Sequence, residues 1–148
     1  TFEKINFLVE CGANPSEIAN KLLRRDSLAK YRIIPKVLDS LELFKEGEIA
    51  SIFAKEEWFK QTGAHNRDCE DALDMIMSIA IVKIAFFVRV VNGTSRVSLR
   101  SKGKIDVSKI AGEFGGGGHF NAAGCTLDMV DVEKAKDIVL KEIFEVYK

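Results

Sequence analysis

The chain has 148 residues, of which 47% are hydrophobic and 30% are charged, and it carries 22 basic and 22 acidic side chains. This composition indicates one globular domain, or one domain with an appendage, and argues against disorder. No apolar run approaches the roughly 18 residues of a membrane span, and no signal-peptide pattern opens the chain, so we expect a cytoplasmic protein with no membrane partner. Because the chain begins at Thr1, we also expect a fragment of a longer protein.

The first 44 residues carry apolar side chains at helical intervals. Two short helices are predicted within residues 2–25. A longer helix is predicted from its N-cap Ser27 to Phe44, and Pro35 is expected to kink or split it. We therefore expect this part of the chain to be a helical connector.

Beyond residue 44 the apolar runs become shorter. Strands are predicted at residues 48–54, 82–91, 96–101 and 125–127, and helices at residues 55–61, 68–80, 107–114 and 132–147. Asn92-Gly93 between two of these strands is a strong hairpin signal. The expected fold class is α/β, with a mixed sheet of about five strands flanked by helices and an N-terminal helical connector.

Four consecutive glycines, Gly115 to Gly118, precede His119. Each glycine costs roughly 0.5–1 kcal/mol relative to alanine in a regular element, so the run is expected to serve a purpose. Backbone without Cβ atoms can turn its N–H groups toward an anion and let a ligand approach closely. The run matches neither the dinucleotide nor the P-loop fingerprint. A flexible turn after the preceding helix is the alternative interpretation.

Positive charge is concentrated around the glycines. Residues 82–121 hold seven basic and two acidic side chains, a net charge of +5. Arg96, Ser98 and Arg100 share parity in a predicted strand, so their side chains should project from one face. The planar fork of arginine suits phosphate, and Ser98 or Ser101 can add a hydroxyl donor. A solvated edge strand protected by charge is the alternative.

Three segments carry a more specific signature. They are residues 97–101 (VSLRS), residues 106–111 (DVSKIA) and residues 114–125 (FGGGGHFNAAGC). Together they resemble the DHH-associated domain, the substrate-binding half of DHH-family phosphoesterases. The chain is most similar to the oligoribonuclease and 3′-phosphoadenosine 5′-phosphate phosphatase branch, which is related to RecJ-type exonucleases. Residues 15–44 also resemble the segment that leaves the catalytic domain in that branch.

The resemblance implies a division of the chain and a set of ligand contacts. Residues 45–148 would form the substrate-binding domain, and residues 1–44 the helical end of the catalytic domain with its connector. The ligand would be short RNA or a nucleotide phosphate. The contacts that the resemblance implies come from the backbone of Gly115, Gly116, Gly117 and Gly118 and from His119 and Arg100. With the neighbouring polar and basic residues Arg96, Ser101 and Asn121, these form the predicted substrate-binding set.

Catalysis in that family uses two divalent metal ions, Mn²⁺ or Mg²⁺, held by aspartates and histidines that include an Asp-His-His motif. This chain lacks that motif, and its histidines are His65 and His119. His65 is interpreted as a loop and capping residue. We therefore expect this chain alone to hold no metal ion, to contain no catalytic residue and to be inactive, with a missing N-terminal catalytic domain as its partner.

The three cysteines have no paired spacing and are expected to be reduced thiols. We expect Cys11 and Cys125 to be buried among small residues.

The leading hypothesis is the substrate-binding C-terminal part of a metal-dependent phosphoesterase that hydrolyses short oligoribonucleotides, 3′-phosphoadenosine 5′-phosphate, or both. The competing hypothesis is a non-catalytic nucleotide- or RNA-binding module, because related domains are appended to alanyl-tRNA synthetases. Cyclic dinucleotide hydrolysis is not separated from these by the residues. The sequence leaves open the preferred substrate, the metal, the inter-domain geometry and whether the chain forms a homodimer.

Overall fold

The computed structural model describes residues 1–23 and 26–148. The helices are α1 (Phe2–Glu10), α2 (Pro15–Leu23), α3 (Leu28–Asp39), α4 (Glu56–Thr62), α5 (Asp71–Met77), α6 (Val107–Glu113) and α7 (Val132–Val146). The strands are β1 (Glu42–Phe44), β2 (Ile49–Ala54), β3 (Ile84–Val91), β4 (Thr94–Ser101), β5 (Gly117–His119) and β6 (Ala122–Leu127). Short 3-10 turns lie at Lys45–Gly47 and Asn66–Cys69. The predicted α/β class is confirmed.

The two N-terminal helices have no buried residue. Asn14 caps α2, because its side-chain oxygen accepts the N–H groups of Ser16 and Glu17 at 3.0 and 3.3 Å. The prediction of two short helices is confirmed. Arg24 and Arg25, at the end of the predicted range, lie outside the described residues. No helix in the described parts of the chain is long and apolar enough to cross a membrane.

The third helix begins as predicted, since the Ser27 hydroxyl accepts the N–H of Lys30 at 3.0 Å. Its predicted extent was wrong, because α3 ends at Asp39 and residues 42–44 form β1. Ser40 explains the change: its hydroxyl accepts the N–H of Phe53 at 2.9 Å and fixes the helix end against β2. Pro35 does not split α3.

All six strands form one sheet in the order β1-β2-β3-β4-β6-β5, and only β2 and β3 are parallel. The predicted hairpin is confirmed: Asn92 and Gly93 both have positive φ, 52° and 81°, as a two-residue hairpin turn requires. The mixed sheet is also confirmed, with six strands. The short strands β1 and β5 were not expected, because the sequence pattern predicted the end of a helix at the residues of β1 and a glycine turn at the residues of β5.

The two faces of the sheet are covered differently. On one face α6 and α7 pack over β2, β3, β4 and β6, with Phe86, Leu99, Ile110 and Ile143 fully buried between them. On the other face the core lies under α3, α4 and α5, around Ile52, Phe87 and other apolar residues of β2 and β3. These three helices do not extend over β6 and β5. The sheet is therefore open on one side, over the half made by β4, β6 and β5.

Candidate functional site

Strand register aligns two of the predicted site residues on the open half of the sheet. Residues directly opposite each other in antiparallel strands have side chains on the same face. Ala122 is the register partner of both Arg100 in β4 and His119 in β5. Arg100, Ala122 and His119 therefore form one row across three strands, with the methyl group of Ala122 between the two larger side chains.

The neighbouring rows follow the same rule. Ser98, Gly124 and Gly117 form the second row, and Arg96 and Thr126 form a third. The predicted parity of Arg96, Ser98 and Arg100 is confirmed, because they alternate with the buried Val97 and Leu99. Small residues in β6 and β5 keep the floor of this surface low, so a ligand can reach the backbone beside the arginines.

A cavity of about 970 Å³ lies over this open half. This volume is at the upper end of the range found for small-molecule sites, roughly 300–1,000 Å³. We call it the basic groove, after the three arginines on its sheet side, and define it by Arg89, Arg96, Ser98, Arg100, Gly115–Gly117, Ala122 and Gly124, with the carboxylates of Glu70, Asp71 and Asp74 on its rim. Three arginines in a groove with a floor of small residues make a surface suited to an extended anion.

The rim of the groove that α5 forms is acidic. Asp74 Oδ1 lies 3.8 Å from Arg100 Nε, and the Asp74 side chain is 76% exposed. Asp71 also lines the groove, and it accepts a hydrogen bond from Lys30 of α3 at 2.5 Å. The acidic helix therefore holds Arg100 loosely, through an exposed carboxylate that an anionic ligand can displace.

The side chains of the groove do not fit a divalent metal ion. Mg²⁺ and Mn²⁺ need several oxygen ligands that converge on one point. Over residues 1–23 and 26–148, no group of three or more His, Cys, Asp and Glu side chains is arranged to hold a metal. Glu70, Asp71 and Asp74 each approach a different basic side chain instead.

The first two glycines of the run end helix α6. Gly115, with φ 68°, donates its N–H to Gly112 O, and Gly116 donates its N–H to Ala111 O, both at 2.9 Å. This pair of bonds is the Schellman motif, which requires a left-handed residue at the first position after the helix. The expectation that all four glycines turn free N–H groups to an anion is therefore corrected, because these two N–H groups are already paired.

Two of the glycines also allow β5 to lie close to β6. A Cβ atom on Gly116 would lie 2.6 Å from Cys125 Cβ, and one on Gly118 would lie 2.5 Å from Ala122 O. Gly118 also has a φ of 148°, which L side chains rarely adopt. Gly117 differs, because a Cβ there would meet no atom within 4 Å, and this glycine faces the groove.

Ser101 and Asn121 lie together, outside the groove. The Ser101 hydroxyl donates to Ile105 O at 2.6 Å and accepts from Asn121 Nδ2 at 2.9 Å. Asn121 Nδ2 also reaches Gly103 O at 3.3 Å. These bonds hold the loop between β4 and α6, so in the structure both side chains support the end of the strand that carries Arg100.

Of the residues predicted to bind the ligand, Arg96, Arg100, Gly115, Gly116 and Gly117 line the groove. His119 is exposed at the outer edge of the sheet, on the same face but beyond the groove lining. Gly118, Ser101 and Asn121 are not part of the lining. Sequence reasoning missed Arg89 and Asp74 as groove residues. Arg89 had a signal, because it is the one charged residue between Ile84 and Val91.

His65 has the local role that was expected of it. Its backbone N–H donates to Asp68 Oδ2 at 2.7 Å at the start of the turn before α5. The hydrogen bond from His65 is the main cause that lowers the pKa of Asp68.

The cysteines are free thiols, as predicted. Cys125 is buried, and burial raises the pKa of its thiol to about 11, so it is a packing residue and a poor nucleophile at neutral pH. The expected burial of Cys11 was wrong: it follows α1, which has no buried residue, and it is exposed.

Comparison with known families gives one match that covers most of the chain. The model of the DHHA1 domain matches residues 45–148. The "Bifunctional oligoribonuclease and PAP phosphatase NrnA" of Thermus thermophilus is 28% identical over 138 residues, which cover 93% of this chain and 41% of that protein. The "A-adding tRNA nucleotidyltransferase" of Aquifex aeolicus is 31% identical over 138 residues, which cover 90% of this chain and 16% of that protein.

A solved structure has the same fold. The crystal structure of an exopolyphosphatase-related protein from Bacteroides fragilis superimposes with a TM-score of 0.80 and 27% identity, over 96% of this chain and 43% of that one. The chain thus spans less than half the length of each of these three relatives.

Proposed function

Because this chain belongs, through residues 45–148, to the DHHA1 domain family, we propose that its basic groove binds the phosphate end of short oligoribonucleotides or nucleotides. The parent protein would be a metal-dependent phosphoesterase, and this chain would supply substrate binding. Relatives of the domain support the class of reaction, since one is named an oligoribonuclease and PAP phosphatase and another a cyclic-di-AMP phosphodiesterase.

The observation that carries the proposal is the row formed by Arg100, Ala122 and His119. A guanidinium offers paired N–H donors in the plane that matches phosphate, and an imidazole adds a further donor. The small residue between them leaves room for the ligand itself. An anion on this row would replace the exposed Asp74 as the partner of Arg100.

The neighbouring row supplies the second part of the interaction. Ser98 is half-buried between the two arginines of β4 and can donate its hydroxyl. Gly117 and Gly124 leave backbone accessible beside it. The proposed role of these groups is to bind and orient a phosphate and its sugar, while the chemistry is carried out by groups that the described residues do not contain.

A titration with a 5′-phosphorylated diribonucleotide tests the proposal. Arg100→Glu should weaken binding at least tenfold, because a charge-assisted contact of about 1.5–3 kcal/mol is replaced by repulsion. Lys141→Glu is the matched control: it makes the same charge change at an exposed position of α7, which packs on the opposite face. Equal affinities of the two variants would contradict the proposal.

A non-catalytic RNA-binding role is the second candidate, and it is favoured by the similarity to a tRNA nucleotidyltransferase. It predicts tight binding of long structured RNA and weak binding of diribonucleotides. Phosphate contacts with a long RNA would also make binding strongly salt-dependent. The same titration with a tRNA-sized duplex therefore separates the two roles.

A further inference from the structure

Arg89 is a buried charge that the proposed function has not used. It lies in β3, lines the basic groove and is only 5% exposed. Its guanidinium stacks over the Phe87 ring at 5.1 Å, and its terminal nitrogen lies 3.5 Å from Glu70 Oε1. The Nε–H of Arg89 is buried and has no hydrogen-bond partner within the described chain. Such an orphan donor on a charged group is costly unless a ligand supplies the acceptor.

A second arginine stands directly opposite. Arg96 in β4 is the register partner of Arg89, so the two side chains leave the sheet on the same face. Like charges placed opposite each other in neighbouring strands repel and destabilise the sheet. Burial is the main cause that lowers the pKa of Arg89; Cys69 and Glu70 oppose the shift, and the charge of Arg96 adds the smallest contribution to it. The Glu70 carboxylate pairs with Arg89 at 3.5 Å, so the two guanidinium groups share one carboxylate and leave an excess positive charge between them.

Arg89 and Arg96 lie at a distance from Arg100 along the groove. Arg96 and Arg100 are four residues apart on one strand, which separates their Cα atoms by about 13 Å. Ser98 lies between them in the strand, with Gly124 as its register partner in β6. The groove therefore has two basic ends joined by a polar, low floor, and a ligand that satisfies both ends must carry two separated anionic groups.

We propose that Arg89 and Arg96 form a second anion subsite, so that the groove selects oligoribonucleotides with an internal phosphodiester over nucleoside monophosphates. This inference rests on the proposed function, because it assigns the terminal phosphate to the row of Arg100 and His119. The internal phosphodiester lies between the guanidinium groups of Arg89 and Arg96. Its oxygen accepts a hydrogen bond from the unpaired Nε–H of Arg89, and its negative charge offsets the repulsion between the two arginines.

The experiment compares two probes, a 5′-phosphorylated diadenylate and AMP, on the whole 148-residue chain by calorimetric titration. Arg96→Gln, at an exposed position, should weaken diadenylate binding roughly tenfold and leave AMP binding within about twofold. Arg89→Gln should do the same in a chain whose folding is verified by its thermal transition. Arg100→Gln should weaken both probes.

Glu70→Gln separates a ligand contact from a structural ion pair. If Arg89 only holds Glu70, this substitution lowers the thermal midpoint and leaves both affinities unchanged, which would overturn the inference. If Arg89 binds an anion, removal of the competing carboxylate should tighten diadenylate binding several-fold without affecting AMP. If Arg100→Gln weakens binding while Arg89→Gln and Arg96→Gln do not, the second subsite is overturned and the proposed function is kept. No difference between any variant and the wild type overturns both.

Discussion

Arg100 and His119 lie on the same face of the sheet, about 10 Å apart across one intervening strand, and Ala122 is the register partner of each. The two residues are distant in sequence and come together only because β5 adds to the edge of β6. The side chain between them is the smallest that carries a Cβ atom. The gap between a guanidinium and an imidazole is thus kept open for a ligand.

Filling that gap should block binding without unfolding the chain. Ala122→Leu places a larger side chain on an open, half-buried surface, where overpacking is not expected. We expect the affinity for a 5′-phosphorylated diribonucleotide to fall at least tenfold while the urea midpoint changes little. Gln61→Leu, at an exposed position of α4 outside the groove lining, is the control for a general effect of an apolar side chain.

Asp74 competes with the ligand for Arg100. Its carboxylate is 3.8 Å from Arg100 Nε and largely exposed, so the pair contributes at most about 1 kcal/mol. Asp74→Asn should therefore tighten phosphate binding by about two- to fivefold at low salt, and the gain should shrink at high salt because screening weakens exposed pairs. Glu145→Gln, on the exposed side of α7, removes the same charge elsewhere. Tightening of equal size in both variants would show that only net charge matters.

The glycine run should divide into structural and open positions. Gly116→Ala puts a Cβ atom 2.6 Å from Cys125 Cβ and should lower the free energy of unfolding by about 1–3 kcal/mol, as overpacked sites do. Gly117→Ala meets no atom within 4 Å and should leave stability nearly unchanged. Urea unfolding of the two variants measures the difference. Equal destabilisation would contradict the arrangement of β5 against β6.

The sequence predicts the elements of this fold well where the pattern is local. Ser27, the Asn92-Gly93 turn and the parity of Arg96 and Arg100 all depend on nearest neighbours along the chain, and each prediction is confirmed. The extent of α3 was wrong because Ser40 bonds to Phe53, a contact between residues distant in sequence.

Only part of the site could be predicted, because some of its features depend on contacts between residues distant in sequence. The positive charge and the glycines are visible in sequence, but the register that aligns Arg100 with His119 and opposes Arg89 to Arg96 is not. Ser101 follows Arg100 in sequence, which suggested a hydroxyl near the ligand, but the direction of that hydroxyl is set by its hydrogen bonds to Ile105 and Asn121. The sequence thus shows which types of side chain are present, whereas the residues that each of them contacts are known only once the strands are paired in the sheet.

The chain should bind without hydrolysing. Its described residues hold no convergent set of His, Cys, Asp and Glu side chains for a metal. We expect no release of mononucleotides from a 5′-phosphorylated diribonucleotide in the presence of Mn²⁺, measured by chromatography over hours. Manganese-dependent release by the purified chain, at a rate that Arg100→Glu abolishes, would contradict this division of roles.

The location of the ligand is the central claim, and amide chemical shifts during a titration test it most directly. With a 5′-phosphorylated diribonucleotide, we predict that the largest shifts occur at Arg96, Ser98, Arg100, Gly117 and Gly124, and that α7 on the opposite face is unaffected. Shifts centred on α7 or on α1 and α2, with the open half of the sheet unchanged, would contradict the account.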